Sequence, residues 1–255
     1  MTRPKLRLVT ISPSHYCEKA RWALDRAGER YREERHAPLF HMAATYRASG
    51  TRTVPILVTP HEKIADSTEI LRHVDRGLDP EKRLFPHEAQ LDGEVSALEE
   101  MLDAKLGPKT RSWAYAWLLP ERDLFVDLMD VELPRVERAL FRASVDVVRA
   151  AMRRAFPQGD AAKTKGRERI EKTLGEVSAR LADGRKYLVG DRLTAADVTF
   201  AALAAPCILP PEYGTKMPDV ARIPEGMRRD VDAFRATPAG AHALWMYREE
   251  RWVRA

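Results

Sequence analysis

The sequence predicts a small α/β domain followed by a larger all-helical domain. Residues 5–77 alternate short strand-like runs with helical patterns, which is typical of a compact α/β unit. Residues 88–204 show almost only helical periodicity. Between them, Pro80 and Pro86 stand in a charged stretch that is typical of a linker. The expected boundaries are 1–78 for the first domain, 79–87 for the linker and 88–255 for the helical domain.

The α/β part is predicted to run strand, helix, strand, helix-like segment, strand, strand, helix. "KLRLVTI" alternates as a partly buried strand does, and "CEKARWALDRAG" has helical spacing with Gly28 at the position of a C-terminal cap. "YREERHA" is a candidate second strand. "TVPILVTP" is a short apolar strand, and "EKIADS" is its candidate hairpin partner. "STEILRHVDRG" closes the domain as a helix.

The helical part contains four long periodic segments, which begin near residues 91, 121, 161 and 194. Five prolines then fall within 206–224, beginning with Pro206, and we expect no regular helix there. A last helical segment, "MRRDVDAFRATPAGAHALWMYREER", follows.

The composition is that of an ordinary globular protein in the cytosol. The chain is 44% apolar and 32% charged, with a net charge of +5. No apolar run reaches the ~18 residues of a membrane span, and the first residues lack the apolar core of a secretion signal. Acidic and basic residues alternate, as in "GERYREER", which indicates a solvated, salt-bridged surface and not a nucleic-acid site. Cys17 and Cys207 have no metal-ligand spacing, so neither a disulfide framework nor a metal site is expected.

The stretch "SPSHYCEKARWAL" is a strand-to-helix junction, and its first part, "SPSHYC", offers four polar candidates for a catalytic role. Unpaired first-turn amides and the helix dipole favour an anion at such a point. Ser14 is therefore a candidate donor to an anion, although serine is also a common N-cap. His15 and Tyr16 are close enough to compete for this role. Cys17 is either a redox thiol or a small buried apolar residue.

Two further features accompany this junction. Pro55 begins an apolar strand, and a cis Val54–Pro55 bond would turn the main chain of Val54 outward to pair with a peptide-like ligand. Asp66 and Ser67 precede a helix, where a hydroxyl and first-turn amides can bind a carboxylate. A trans proline and an ordinary helix cap are the alternatives.

Taken together and in this order, these features resemble the thioredoxin-like N-terminal domain of the glutathione S-transferase superfamily. The pair Thr194 and Asp197 in "DRLTAADVTFA", flanked by Leu193 and Val198 as a hydrophobic staple, resembles the capping box of that superfamily's helical domain. The resemblance covers nearly the whole chain. The implied fold class is a thioredoxin-like α/β domain plus an all-α, glutathione transferase-like domain.

The resemblance also implies roles for individual residues. Ser14 falls where serine-type members hold the catalytic hydroxyl, and the motif here is S-x-x-C. The implied glutathione-binding residues are Cys17, Val54, Pro55, Asp66 and Ser67. Arg52 and His41 are open candidates for the glycyl carboxylate and match no tight motif.

The expected activity is attack of the glutathione thiol on a small electrophile, with no metal. A glutathione-dependent thiol–disulfide or peroxidase reaction through Cys17 and a non-catalytic binding role are the alternatives. Another low-molecular-weight thiol is an open alternative to glutathione. The resemblance further implies a homodimer and a second-substrate site between the domains. "SWAYAWLL", with Trp113, Tyr115 and Trp117, and the proline-rich 206–224 segment are candidates to line that site.

Overall fold

A computed structural model describes residues 5–255, so the first four residues of the expected domain 1–78 lie outside the described residues. The N-terminal part contains a four-stranded mixed sheet in the order β2-β1-β3-β4. Strands β1 and β2 are parallel, whereas the β1–β3 and β3–β4 pairs are antiparallel. The elements are β1 (Leu6–Thr10), α1 (His15–Arg26), β2 (Tyr31–Arg35), α2 (His41–Ser49), β3 (Ile56–Val58), β4 (Lys63–Ala65) and α3 (Ser67–Asp75). This order confirms the predicted one.

Eight helices follow: α4 (Ala89–Lys105), α5 (Gly107–Leu118), α6 (Arg122–Met129), α7 (Arg135–Ala155), α8 (Asp160–Arg180), α9 (Ala195–Ile208), α10 (Glu225–Arg235) and α11 (Pro238–Glu249). The predicted fold class, a thioredoxin-like α/β domain plus an all-helical domain, is confirmed. No helix among residues 5–255 is long and apolar enough to cross a membrane.

Helix α9 is the centre of the helical domain, and every one of its residues is buried. The predicted capping box begins it, with the buried Asp197 carboxylate accepting from Thr194 N at 2.9 Å. The other carboxylate oxygen accepts from Leu188 N at 2.7 Å. Because burial is the largest influence on this carboxyl, its pKa is raised to about 6 despite these bonds. The box therefore ties the start of α9 to the preceding loop.

The helical domain departs from the sequence prediction at three places. The segment 121–156 is two helices, because Glu132 adopts a positive φ and Pro134 precedes α7. The last segment is also two helices, with Pro238 at the start of α11. The prediction is wrong for Pro206, which lies inside α9. The surrounding buried core holds the last turn of this helix although proline supplies no N–H.

The segment between α3 and α4 is packed against the rest of the molecule. It contains a short 3-10 turn, Pro80–Lys82, and then Leu84 and Phe85, which are both buried. The Asp75 carboxylate accepts from Leu84 N at 2.5 Å and from Phe85 N at 3.2 Å. This connection between the two parts of the chain is therefore structured.

Helix α1 joins the two domains through buried charges. Glu18 Oε1 accepts from Arg251 Nε at 2.7 Å, and the exposed fraction of both residues is 0%. Lys19, equally buried, is bound to Glu99 and pairs with Asp103 of α4 at 3.1 Å. These pairs fix the N-terminal end of α1 against the helical domain, and that end is where the predicted site begins.

Candidate functional site

A cleft of about 600 Å³ lies between the two domains and begins at the N-terminus of α1. It is lined by five of the predicted site residues: Ser14, Val54, Pro55, Asp66 and Ser67. Residues of α5, α6 and α7 form its opposite wall. The structure thus brings together side chains that are more than fifty positions apart in the sequence.

Ser14 is the N-cap of α1 and also faces the cleft. Its Oγ accepts from Cys17 N at 3.4 Å, which satisfies one first-turn amide of the helix. Among residues 5–255 its hydroxyl proton has no oxygen or nitrogen acceptor, and the Cys17 sulfur is the neighbouring group that this hydroxyl affects. A serine hydroxyl can accept and donate at the same time, so Ser14 can cap α1 and still donate to a ligand atom in the cleft.

His15 and Tyr16 are occupied by contacts with the helical domain. His15 Nε2 lies 3.0 Å from Gly107 O, and the Tyr16 hydroxyl donates to Asp103 O at 3.2 Å. Burial and then the positive charge of Arg111 lower the pKa of His15 to about 3, so the imidazole stays neutral. Burial and then the Asp103 carboxylate raise the pKa of Tyr16 to about 12, so the phenol keeps its proton. The Tyr16 proton is already donated to Asp103 O, and His15 Nε2 faces Gly107 O, so hydrogen bonds to the helical domain engage both groups.

The structure does not bring Cys17 to the cleft. Its exposed fraction is 0%, and it lies one turn inside α1, beneath Ser14. Burial raises the pKa of its thiol to about 11, an effect that Arg21 and the Ser14 hydroxyl only partly offset. A buried thiol with a raised pKa is a poor nucleophile. Cys17 behaves here as a small apolar side chain, which was one of the two alternatives for it.

This placement predicts that Cys17 does not react with thiol reagents in the folded protein. Ellman's reagent at pH 8 should detect almost no thiol without denaturant and both cysteines in 6 M guanidinium, because Cys207 is buried as well. The rate of reaction should rise only as the pH approaches the raised pKa of about 11. Rapid labelling of one thiol at pH 8, lost in Cys17→Ala and kept in Cys207→Ala, would contradict the prediction.

The segment before β3 presents main-chain groups to the cleft. The Val54–Pro55 peptide bond is cis, which is the first of the two alternatives for this proline. Val54 precedes β3, and among residues 5–255 its N–H and C=O have no main-chain partner. Both residues line the cleft. An extended peptide can therefore pair with this point of the main chain.

Asp66 and Ser67 form the start of α3. The Asp66 carboxylate accepts from Thr68 N at 2.7 Å and from Glu69 N at 3.4 Å. Asp66 also has a φ of 102°, which is rare for a residue with a side chain and is frequent at functional sites. The Ser67 Oγ is buried, lines the cleft and has no hydrogen-bond partner in the described part of the chain. A buried hydroxyl of this kind is completed by a ligand acceptor.

Several residues at the cleft were missed or left open by the sequence analysis. Asp103 and Arg111, both from the helical domain, line it. Arg111 is one of 43 lysines and arginines, and nothing in its helical context distinguishes it. His41 and Arg52, left open as candidates, also line it.

Of the three aromatic residues in "SWAYAWLL", the structure places Tyr115 at the cleft. Trp113 is buried against Asp230, and Trp117 packs against Lys163 and Gly226. From the proline-rich segment, Pro206, Leu209, Met217 and Pro218 contribute to the wall. Tyr213 is buried nearby, and its hydroxyl donates to Pro13 O at 3.3 Å.

Two family models match the chain. Residues 8–81 match the model for the glutathione S-transferase N-terminal domain, and residues 138–225 match the model for the C-terminal domain. Together the two matches span more than half of the sequence, in the order that the structure shows. The chain belongs to the glutathione S-transferase superfamily.

Solved structures with this superfamily's fold resemble the chain along most of its length. A possible glutathione S-transferase from Rhodopseudomonas palustris has a TM-score of 0.62 at 16% identity, covering 98% of this chain and 97% of that one. The β-etherase LigF from Sphingobium sp. strain SYK-6 has a TM-score of 0.61 at 15% identity, covering 94% and 99%.

The theta class glutathione S-transferase from Xanthomonas axonopodis pv. citri, solved with glutathione bound, has a TM-score of 0.59 at 15% identity. The match covers 94% of this chain and 97% of that one. At these identities the likeness establishes the fold. A comparison with curated proteins gave no match.

Proposed function

We propose that this glutathione S-transferase superfamily member binds glutathione in the cleft and activates its thiol for attack on a small electrophile. The observation that carries the proposal is the position of the Ser14 hydroxyl. It faces the cleft, its oxygen caps α1, and its proton has no oxygen or nitrogen acceptor among residues 5–255. A free thiol is mostly protonated at neutral pH, because the pKa of an unperturbed cysteine is about 8.5. A hydrogen bond from Ser14 and the N-terminal dipole of α1 both favour the thiolate.

In this proposal the peptide lies extended along Val54. The main-chain N–H and C=O of Val54 pair with the cysteinyl unit, which brings the sulfur toward Ser14. The γ-glutamyl carboxylate accepts from the unpartnered Ser67 Oγ. The γ-glutamyl ammonium lies near Asp66. Arg52 and His41 are left for the glycyl carboxylate.

Asp103 adds a second carboxylate near the position proposed for the ammonium group. Burial raises the pKa of Asp103, the Lys19 ammonium opposes that rise, and Asp66 is among the neighbouring charges that add to it. A ligand ammonium between the two carboxylates would reduce their repulsion. The two carboxylates therefore favour binding of the γ-glutamyl ammonium at this point of the cleft.

The reaction needs no covalent enzyme intermediate. The thiolate sulfur forms a bond to the electrophilic carbon, the bond from that carbon to the leaving group breaks, and the leaving group departs with the electron pair. The thiol proton is released to solvent when the thiolate forms. Ser14 keeps its own proton throughout and acts as the hydrogen-bond donor.

The test is a calorimetric titration with glutathione, followed by turnover assays with a panel of alkyl and aryl halides, epoxides and disulfides. We expect binding to wild type and about 10- to 100-fold weaker binding to Ser67→Ala, because a hydrogen bond to a charged group contributes about 1.5–3 kcal/mol. Ser49→Ala is the control, since the Ser49 hydroxyl bonds only within its own helix and to Thr51.

Three outcomes would contradict the proposal. Equal affinity of Ser67→Ala and wild type would remove the proposed carboxylate site. Binding without turnover would favour the non-catalytic role. Failure to bind glutathione while another low-molecular-weight thiol binds would assign the cleft to that thiol.

A further inference from the structure

The part of the cleft between α5, α6, α7 and α10 is mostly apolar and contains one cation. Its walls are made by side chains of these four helices and by Phe156, which follows α7; the helical residues are Leu118, Leu128, Met129, Met152 and Met227. Arg111, on α5, projects its guanidinium among them. A pocket with mostly apolar walls and one fixed charge binds amphipathic molecules and orients them through that charge.

The guanidinium of Arg111 lies near two aromatic side chains. Its central carbon is 5.8 Å from the Tyr16 ring centroid and 5.7 Å from that of Phe156. Both distances are within the ~6 Å over which an aromatic face attracts a cation, so the two rings stabilise the guanidinium at this position. The position is therefore built into the cleft wall and is not that of a freely moving surface side chain.

Arg111 has no partner for its charge in the described part of the chain. Its Nε is buried without a hydrogen-bond partner, and no carboxylate lies within salt-bridge distance of the guanidinium. Arg21 and Arg251, the fully buried arginines of the domain interface, are both paired with carboxylates. Because an unpaired cation in an apolar wall is costly, an anion supplied by a ligand is the natural complement.

Two neighbouring groups sense this charge. After burial, the charge of Arg111 is the next cause of the lowered pKa of His15. It also opposes the rise that burial causes in the pKa of Tyr115, whose side chain lines the same cleft. The positive field of Arg111 therefore extends across the region beside Ser14.

We propose that Arg111 binds a carboxylate of the second substrate, whose apolar body lies against Phe156, Met152 and Leu118. The substrate class is thus an electrophile that carries both a hydrophobic group and a carboxylate. This inference rests on the proposed function, since it names the partner of the thiol in the same cleft.

A carboxylate fits better than a phosphate. One planar guanidinium presents two parallel donors, which match the two oxygens of a carboxylate. A phosphate dianion would need a second cation in the same wall. Arg52, the other arginine of the cleft, lies in the segment before Pro55 and not in the wall that α5, α6 and α7 form. Asp103 lines the cleft as well and would repel a dianion more strongly than a monoanion.

The experiment compares 4-(chloromethyl)benzoate with its methyl ester as electrophiles for glutathione. Arg111→Gln should lower kcat/KM for the acid by about 10- to 100-fold, mainly through KM, and change kcat/KM for the ester by less than about twofold. Arg111→Lys should retain part of the preference, since it keeps the charge without the fork. Arg154→Gln removes an exposed arginine of α7 that does not line the cleft, and it should leave both rates unchanged.

A binding measurement separates this inference from the proposed function. We expect 4-propylbenzoate to bind wild type about 10-fold more tightly than 4-propylbenzamide by calorimetry, and Arg111→Gln to abolish the difference. If glutathione fails to bind wild type but this preference holds, the proposed function fails and the carboxylate site stands.

Three results would overturn the inference. One is an equal loss of rate for acid and ester in Arg111→Gln. Another is an Arg111→Gln variant in which KM rises for glutathione and not for the electrophile, which would mean that Arg111 binds glutathione. The last is equal affinity of wild type for the benzoate and the benzamide. The thermal midpoint of each variant shows whether it is folded. If Arg111→Gln does not fold, the comparison of acid and ester is made with Arg111→Lys.

Discussion

Ser14→Ala should lower kcat/KM for glutathione conjugation at pH 6.5 by about 10- to 100-fold. The variant loses the hydrogen bond that lowers the pKa of the bound thiol, and each unit of rise in that pKa reduces the thiolate concentration about tenfold at this pH. The loss should shrink as the pH increases. Above the pKa of free glutathione the thiolate forms without help, so the variant should approach wild type there. The measurement is kcat/KM against pH for both proteins.

The control for this experiment is another N-cap of the same kind. Ser14→Ala also removes a cap of α1, which costs about 1 kcal/mol of stability. Thr237 caps α11 through a bond from Gly240 N at 3.0 Å and does not line the cleft. Thr237→Ala should therefore show a similar loss of stability and unchanged kinetics. A loss of activity in Ser14→Ala that is the same at every pH would argue against thiolate stabilisation.

Glu18→Ala should reduce the free energy of unfolding by about 3–5 kcal/mol, since removing one partner of a buried ion pair leaves the other charge uncompensated. Glu18 accepts from Arg251 Nε at 2.7 Å and from Gly214 N at 3.0 Å, and it lies 3.5 Å from Arg21 Nη1. Its loss leaves two buried guanidinium groups with fewer acceptors. Urea unfolding followed by circular dichroism measures the change.

Glu249→Ala is the matched control, because Glu249 pairs with Arg248 on the surface, where both side chains are more than half exposed. Exposed pairs contribute about 0–1 kcal/mol, so this variant should unfold almost as wild type does. If both variants lose the same small amount, the buried cluster is not a main source of stability.

The elements of the N-terminal domain could be predicted because each one is specified locally. Alternating apolar residues define β1, and Ser14 and Gly28 define the ends of the first helical segment. Asp66 similarly marks the start of α3. Pro206 shows where local rules fail, since the burial of α9 on all sides outweighs the preference of proline for helix ends.

Only the cleft residues of the N-terminal domain could be predicted from the sequence. Ser14, Val54, Asp66 and Ser67 stand in recognisable local patterns, whereas Arg111 is distinguished only by its tertiary position near two aromatic rings. The mixed charges predict a solvated surface, and this prediction is wrong for Glu18, Lys19 and Arg21, which are almost completely buried. Glu18 and Arg251 are 233 positions apart, and no local pattern indicates such a pair.

The contact between Tyr16 and Gly107 has a consequence for sequence change in this protein. A Cβ on Gly107 would lie 2.3 Å from the Tyr16 hydroxyl oxygen, so the phenol occupies the volume that any other residue at 107 would fill. The same phenol is one of the two rings beside Arg111. A larger residue at 107 would therefore require the Tyr16 side chain to move or to become smaller, and either change would alter the ring that lies beside Arg111. The packing of the two domains and the surroundings of Arg111 therefore both depend on a glycine that does not itself line the cleft.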